Sequence, residues 1–489
     1  MSSRGLWSHG PARLLIDGTL RAGRGGEFPT VNPATEEVLG TAANADAADL
    51  DEAVAAARRA FDETGWSRDT AFRTRCVRQL SEVLATHGDE LRALTVAEAG
   101  VPVALTYGPQ LDIPVADLTW FADLADGYAW REDLGVAAPM GVRSRRTVMR
   151  EPAGVVAAIT PWNFPHQIAL AKLGPALAAG NTVVLKPAPD TPWCAAAVGR
   201  LIAEETDIPP GVVNIVTSAD HAIGALLTGD PRVDLVSFTG STATGQQVMT
   251  AAARTLKKVF LELGGKSAFV VLDDADLAGA CALAAFMVCT HAGQGCALTT
   301  RLLVPRKQYD EAVAVTAAAM SGIRCGDPID RRTICGPLIS ARQRDRVEGY
   351  LALAVDEGGK IVCGGGRPHP KGFYVEPTLV AGLTNDARVA REEIFGPVLV
   401  ILPHDGDDDA VRIANDSPYG LSGAVHGADL DRARAVAGRI RTGTLSVNGA
   451  VWYAADAPFG GYKQSGIGRE MGVAGFEEYL ETKVIAEPA

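Results

Sequence analysis

Apolar residues recur at helical spacing through the first part of the chain. Leu50, Val54 and Ala57 share one face of a stretch from 46 to 60, and helices are also expected over 72–86 and 112–127. Strand-and-turn signals sit around 14–18 and at Asn32-Pro-Ala-Thr-Glu36, and from 136 to 150 the chain becomes arginine-rich and β-like. The pattern then alternates. Short apolar runs at 155–159, 181–185, 213–216 and 234–238 predict buried strands, with helices over 166–179, 193–205 and 242–254. A second cycle opens with a strand at 267–272 and a helix from 277, and continues to about 447. This alternation predicts α/β architecture: two doubly wound parallel-sheet domains with ligand sites at the strand C-terminal ends. Residues 479–485 alternate like an exposed strand, a candidate contact for another subunit.

Length and charge narrow the function. A chain of 489 residues has ample apolar content for a large core. Its net charge of −12 argues against nucleic acid, because phosphate binding needs a basic surface. No apolar run reaches membrane-spanning length, and Met1-Ser-Ser-Arg-Gly5 lacks the apolar core of a leader, so a cytoplasmic protein is expected. The eight cysteines form no Cys-x-x-Cys pair and no histidine cluster has metal spacing, so no metal is expected. Cys281 and Cys289 lie in or at the end of an apolar helical run and are read as packing residues.

Cys296 stands apart. In His291-Ala-Gly-Gln-Gly-Cys296 it lies behind two glycines, which allow a tight bend and close approach of a substrate to the sulfur. Glu262, between two leucines with Gly264-Gly265 behind, is either a buried salt-bridge partner or a base whose burial raises its pKa. Asn163, in the stiff loop Thr160-Pro-Trp-Asn-Phe-Pro165, either caps the following helix or aims its amide at a developing oxyanion; such donors contribute ~3–4 kcal/mol in comparable sites. Cysteine, glutamate and asparagine are the components of a thioester mechanism.

A nucleotide site is suggested by three further segments. Residues 233–238 run into Thr239-Gly-Ser-Thr-Ala-Thr-Gly245, where a helix N-terminus suits a pyrophosphate, although Gly-Ser there also serves as a plain cap. Lys186, in Lys186-Pro-Ala-Pro-Asp190, is either solvated or turned to ribose hydroxyls. Glu393 and Phe395, in Arg391-Glu-Glu-Ile-Phe-Gly-Pro397, supply a carboxylate for a ribose and a wall for a planar ring.

With Pro458-Phe-Gly-Gly-Tyr-Lys-Gln-Ser-Gly466, these motifs in this order closely resemble the NAD(P)-dependent aldehyde dehydrogenase superfamily, from about residue 32 to 483. The resemblance implies Cys296 as nucleophile, Glu262 as base, and an oxyanion hole from Asn163 and the Cys296 backbone N–H. It assigns NAD, with NADP possible, to Ile159, Thr160, Pro161, Trp162, Lys186, Ala188, Pro189, Phe238, Gly240, Ser241, Leu263, Glu393 and Phe395. An aldehyde tunnel is implied along Phe164, Ile168, Ala171, Gly295, Ala297, Tyr453 and Phe459.

The same resemblance divides the chain into a cofactor-binding domain (1–133 and 153–264), a catalytic domain (265–464), and a small oligomerisation element with a C-terminal arm (134–152 and 465–489). A homodimer or homotetramer is implied. Relatives that pass the acyl group to coenzyme A generally lack the glutamate, so Glu262 favours hydrolysis to a carboxylic acid.

Two departures stand out. Many NAD-preferring relatives carry glutamate where Pro189 stands, so discrimination against NADP is weakened, with NAD still favoured because no added Arg or Lys attracts a 2′-phosphate. Ala171 replaces a bulky aromatic of several relatives, which with Gly295 and Ala297 predicts a roomy apolar tunnel for medium or aromatic aldehydes. A cofactor-independent cysteine esterase and an inactive structural relative are the alternatives. The esterase would need none of Lys186, Ser241 and Glu393.

Overall fold

The computed structural model describes residues 11–489; the Met1–Gly5 stretch read against a leader lies outside them. An eight-stranded sheet has its centre in four parallel strands, ordered Lys258–Glu262, Leu235–Thr239, Val155–Ile159 and Thr182–Lys186. Val213–Ile215 continues it in parallel, Leu14–Ile16 and Thr19–Arg21 add an antiparallel hairpin, and Gly466–Ile467 closes the other edge. A seven-stranded sheet, mostly parallel, is built from Ser267–Val271, Thr299–Pro305, Lys360–Cys363, Thr378–Ala381, Val398–His404, Gly423–His426 and Ser446–Val447. Both sheets carry helices, because strands that are apolar on both faces must be covered twice.

Helix ends follow local chemistry. Ala47–Glu63 begins in a capping box, with Asp46 accepting from Asp49 N–H while the Asp49 side chain accepts from Asp46 N–H. Pro165–Ala179 has proline in its first turn and stops at Gly180, whose φ of 98° lets the chain turn out of the helix.

The arginine-rich stretch is two strands, Arg131–Ala137 and Ser144–Pro152, joined by a turn. The C-terminal strand departs from expectation. It runs Leu480–Pro488, pairs antiparallel along the whole of Ser144–Pro152, and is exposed from Glu481 onward instead of alternating. Tyr479, expected at its start, is fully buried against Phe260. Phe476 and Tyr479 thus anchor the arm in the core of the first sheet.

Candidate active site

A cleft opens between the two sheets, lined from the first by Pro161, Trp162, Asn163, Ile168, Gly240, Ser241, Glu262 and Leu263, and from the second by Cys296, Glu393 and Phe395. Its floor is the C-terminal edge of the parallel strands. Ile159 is in register with Lys186 on one side and Phe238 on the other, and Thr239 with Glu262. Residues far apart in sequence meet there because neighbouring parallel strands end at the same level.

The loop that carries Cys296 is held by side chains that sequence reading did not single out. The helix Leu277–Cys289 ends, and His291, Ala292 and Gly293 all take left-handed conformations (φ 51°, 52° and 72°). The bend therefore uses two non-glycine residues. Of the two glycines, Gly293 alone has this backbone; a Cβ there would lie 2.0 Å from the Gly396 carbonyl oxygen. Gln294 staples the loop, donating to the His291 and Pro337 carbonyls and accepting from Ile339 N–H at 2.9 Å. Cys296 follows, half-buried. Burial, then the carboxylates of Glu262, Glu393 and Glu470, push its thiol well above the usual range.

Asn163 does not cap the following helix; Phe164 is the N-cap residue and makes no side-chain cap. The Asn163 Nδ2 donates to the Gln294 carbonyl at 2.8 Å, and its backbone carbonyl accepts from Gln110 Nε2 and His291 Nε2. One of the two amide hydrogens thus fixes the side chain, and the other remains for a ligand.

Among the described residues Glu262 has no salt bridge. It is buried, and neither carboxylate oxygen has a hydrogen-bond partner among the described residues. Burial, then the Glu470 charge, raise its pKa well above the ordinary value, while Lys172 and Arg469 oppose the rise. A buried carboxyl without partners is costly for stability alone.

The positions expected to hold a dinucleotide divide between the cleft and its surroundings. Lys186 is buried, and burial lowers its ammonium to about 8. Among the described residues its ammonium has one hydrogen bond, a 3.3 Å contact to the Pro187 carbonyl, so donors remain for a ligand. Glu393 accepts from Gly265 N–H at 2.9 Å, and burial raises it to about 7. Arg346 bonds the Glu393 carbonyl, and Gln343 the carbonyls of Ile394 and Phe395, which fixes Phe395 at φ 62° edge-on to Trp162 with ring centroids 5.5 Å apart. Ser241 is a true cap, accepting from Thr244 N–H, and it lines the cleft as well. Ala188 and Pro189 follow Lys186 in the turn before the helix Pro192–Glu205. Ile159, Thr160, Lys186, Ala188, Pro189 and Phe238 do not themselves line the cleft.

The tunnel positions divide. Ile168 faces the cleft, whereas Ala171 and Tyr453 line a separate narrow recess. Phe164 stands edge-on to His291, and Phe459 stacks on Trp452. A Cβ on Gly295 would meet Leu298. Neither Gly295 nor Ala297 lines the cleft or the recess. The expectation of a roomy apolar tunnel does not hold at the recess, which is too tight for a water molecule and carries Asp117, Gln167 and the Tyr453 hydroxyl among its walls.

The sequence pattern of the aldehyde dehydrogenase family matches residues 20–485. The chain belongs to the aldehyde dehydrogenase family. It is 43% identical over 480 residues to 3-succinoylsemialdehyde-pyridine dehydrogenase of a Pseudomonas species, covering 96% of this chain and 98% of that one. It is 41% identical to geranial dehydrogenase of Castellaniella defragrans, covering 93% and 94%. Among solved structures, betaine aldehyde dehydrogenase of Staphylococcus aureus with NAD+ matches with a TM-score of 0.95 at 36% identity, covering 98% and 95%. Aldehyde dehydrogenase C of Pseudomonas syringae, with NAD+ and octanal, matches with a TM-score of 0.92 at 40% identity, covering 98% and 97%. The protein is an enzyme that oxidises aldehydes to carboxylic acids. Among the described residues no helix is long and apolar enough to cross a membrane.

Proposed function

We propose that the cleft oxidises a medium-length or aromatic aldehyde with NAD, using Cys296 as nucleophile, Glu262 as base and Asn163 as oxyanion donor. The observation that carries this reading is the partnerless, buried Glu262 carboxyl in one cleft with the Cys296 thiol and the Asn163 amide. Octanal and geranial as substrates or ligands of relatives support the size range.

The Cys296 thiol passes its proton to solvent water, and the thiolate attacks the carbonyl carbon. The oxygen acquires negative charge, which the free N–H of Asn163 and the Cys296 backbone N–H stabilise. Lys186, Ser241 and Glu393 would hold NAD, which would supply an acceptor for the hydride released as the carbonyl re-forms. Cys296 then carries the acyl group as a thioester. Glu262 takes a proton from water, whose oxygen attacks the thioester carbon; the acid leaves and the sulfur is reprotonated.

The division into 1–133 with 153–264, 265–464, and 134–152 with 465–489 accompanies this reading, and the oligomer is a homodimer or homotetramer. Its support is the exposure of Leu134, Val136, Val484 and Ile485 on one small sheet and of Met140 and Val142 in the turn that joins two of its strands. A cytoplasmic location fits the eight free cysteines.

The test is the initial rate of cofactor reduction with hexanal and benzaldehyde, with NAD and NADP in parallel and without coenzyme A. Cys296→Ala should abolish the rate. Glu262→Gln should give a burst of reduced cofactor followed by slow turnover, because the thioester forms and is not hydrolysed. A Glu262→Gln enzyme with wild-type turnover would remove the base from the mechanism.

A further inference from the structure

Two cysteines outside the cleft face each other in the segment that supports the Cys296 loop. Cys325 and Cys335 form an isolated parallel β-bridge. Gly326 N–H donates to the Cys335 carbonyl and Cys335 N–H to the Arg324 carbonyl, both at 3.1 Å, which sets the two cysteines directly opposite. Opposed residues on paired strands turn their side chains to one face, and the two thiols come within hydrogen-bond reach of each other. Cys325 is partly exposed, whereas Cys335 is fully buried.

That difference divides the chemistry between them. The hydrogen bond with Cys325, then burial, raise the Cys335 thiol well above its ordinary range, so it keeps its proton until a partner sulfur is oxidised. Cys325, on the solvent side, is the sulfur that an oxidant meets first.

Cys335 also lies within the support of the loop that carries Cys296. The Ile334 carbonyl accepts from His291 N–H at 3.2 Å. The Pro337 carbonyl accepts from Gln294 Nε2, and Ile339 N–H donates to Gln294 Oε1. Cβ atoms of opposed residues stand about 5 Å apart, whereas a disulfide holds them at about 3.8 Å. Closing the bond therefore draws the 334–337 segment toward Cys325 by about 1 Å. A shift of that size at a catalytic group costs about 10²-fold in rate.

We propose that Cys325 and Cys335 form a reversible disulfide with a hydroperoxide as oxidant, and that this bond suppresses aldehyde oxidation by displacing the Cys296 loop. The Cys325 thiol gives its proton to water and its sulfur attacks hydrogen peroxide. The O–O bond breaks, the leaving hydroxide takes up a proton to become water, and a sulfenic acid remains. The Cys335 sulfur then attacks the Cys325 sulfur; the S–O bond breaks, and the Cys335 proton leaves with the displaced hydroxide as a second water. Two thiols lose two electrons and two protons, and one peroxide becomes two waters. The disulfide is independent of the mechanism read for the cleft, whereas its effect on rate rests on Cys296 as nucleophile.

The test treats the enzyme with hydrogen peroxide, blocks the remaining thiols with iodoacetamide and maps the peptides by mass. A linked Cys325–Cys335 peptide should appear, two hydrogens lighter than the reduced pair, and vanish with dithiothreitol. Hexanal oxidation should fall by at least about tenfold as the link forms, and return with the reductant. Cys325→Ser should match the wild-type rate before treatment and lack the reductant-recoverable fall. Absence of the linked peptide overturns the site. A linked enzyme that keeps its rate overturns the coupling to the Cys296 loop. So does a Cys325→Ser enzyme that falls and recovers as the wild type does, because direct oxidation of Cys296 would then account for the loss.

Discussion

Lys172 donates to Glu470 at 2.8 Å, both side chains buried, and leaves Glu262 without a salt bridge. The cation that would otherwise quench the base is neutralised by a second acid. The charge of that acid raises the Glu262 pKa, whereas Lys172 lowers it. As a base Glu262 works only when ionised, so the rate falls as pH drops through its pKa. Glu470→Gln removes the charge that raises that pKa and frees the one that lowers it. The acid limb of the pH–rate profile should therefore move to lower pH, by about one unit. A limb that stays in place or moves up would show that Glu262 does not set it.

The alkylation chemistry of Cys296 follows from the same charges. Burial and the Glu262 carboxylate hold the thiol protonated, so iodoacetamide should inactivate slowly at neutral pH and faster as pH rises. Glu262→Gln removes one raising charge and lowers the thiol pKa. Inactivation at neutral pH should then accelerate several-fold, read as loss of activity or as mass added at Cys296.

Gly293 is held by geometry alone. Its φ of 72° and the 2.0 Å approach of a notional Cβ to the Gly396 carbonyl leave no room for a side chain. Gly293→Ala should cost roughly 2–4 kcal/mol of stability and most of the activity. Gly295→Ala meets only the flexible Leu298 side chain and should cost less. Denaturant unfolding of the two variants checks the order.

At Pro189, a carboxylate would face the ribose end of the cofactor next to Lys186. Pro189→Glu should repel a 2′-phosphate, raising the NAD to NADP ratio of kcat/KM by roughly tenfold. An unchanged ratio would mean that the ribose 2′ position lies away from this turn.

Much of this enzyme is legible without coordinates because its signals are local. The strands at 155–159 and 182–186 are unbroken apolar runs, and the loop that carries Asn163 is bracketed by two prolines. Such features depend on residues a few positions apart, which a period or a turn preference reads directly. Cys296, Glu262 and Lys186 all stood out as candidates in this way, the last two with a plainer alternative beside them.

The tertiary structure decided between those alternatives. Whether Glu262 was a salt-bridge partner depended on Glu470, 298 residues beyond Lys172 and competing for it. Asn163 turned from helix cap to ligand of the nucleophile loop because the Gln294 carbonyl, 131 residues away, met its amide. The left-handed His291 and Ala292 carry no glycine signature; packing around Gln294 imposes them. The C-terminal strand pairs with Ser144–Pro152 of its own chain and becomes an outer strand of a three-stranded sheet, which only the fold could show. Asp117 sits on a helix with an ordinary surface pattern and becomes a recess wall only when Ala171 and Tyr453 pack across from it. Local sequence specified the groups capable of chemistry, and long-range burial determined which of them stayed without a partner and so free to react.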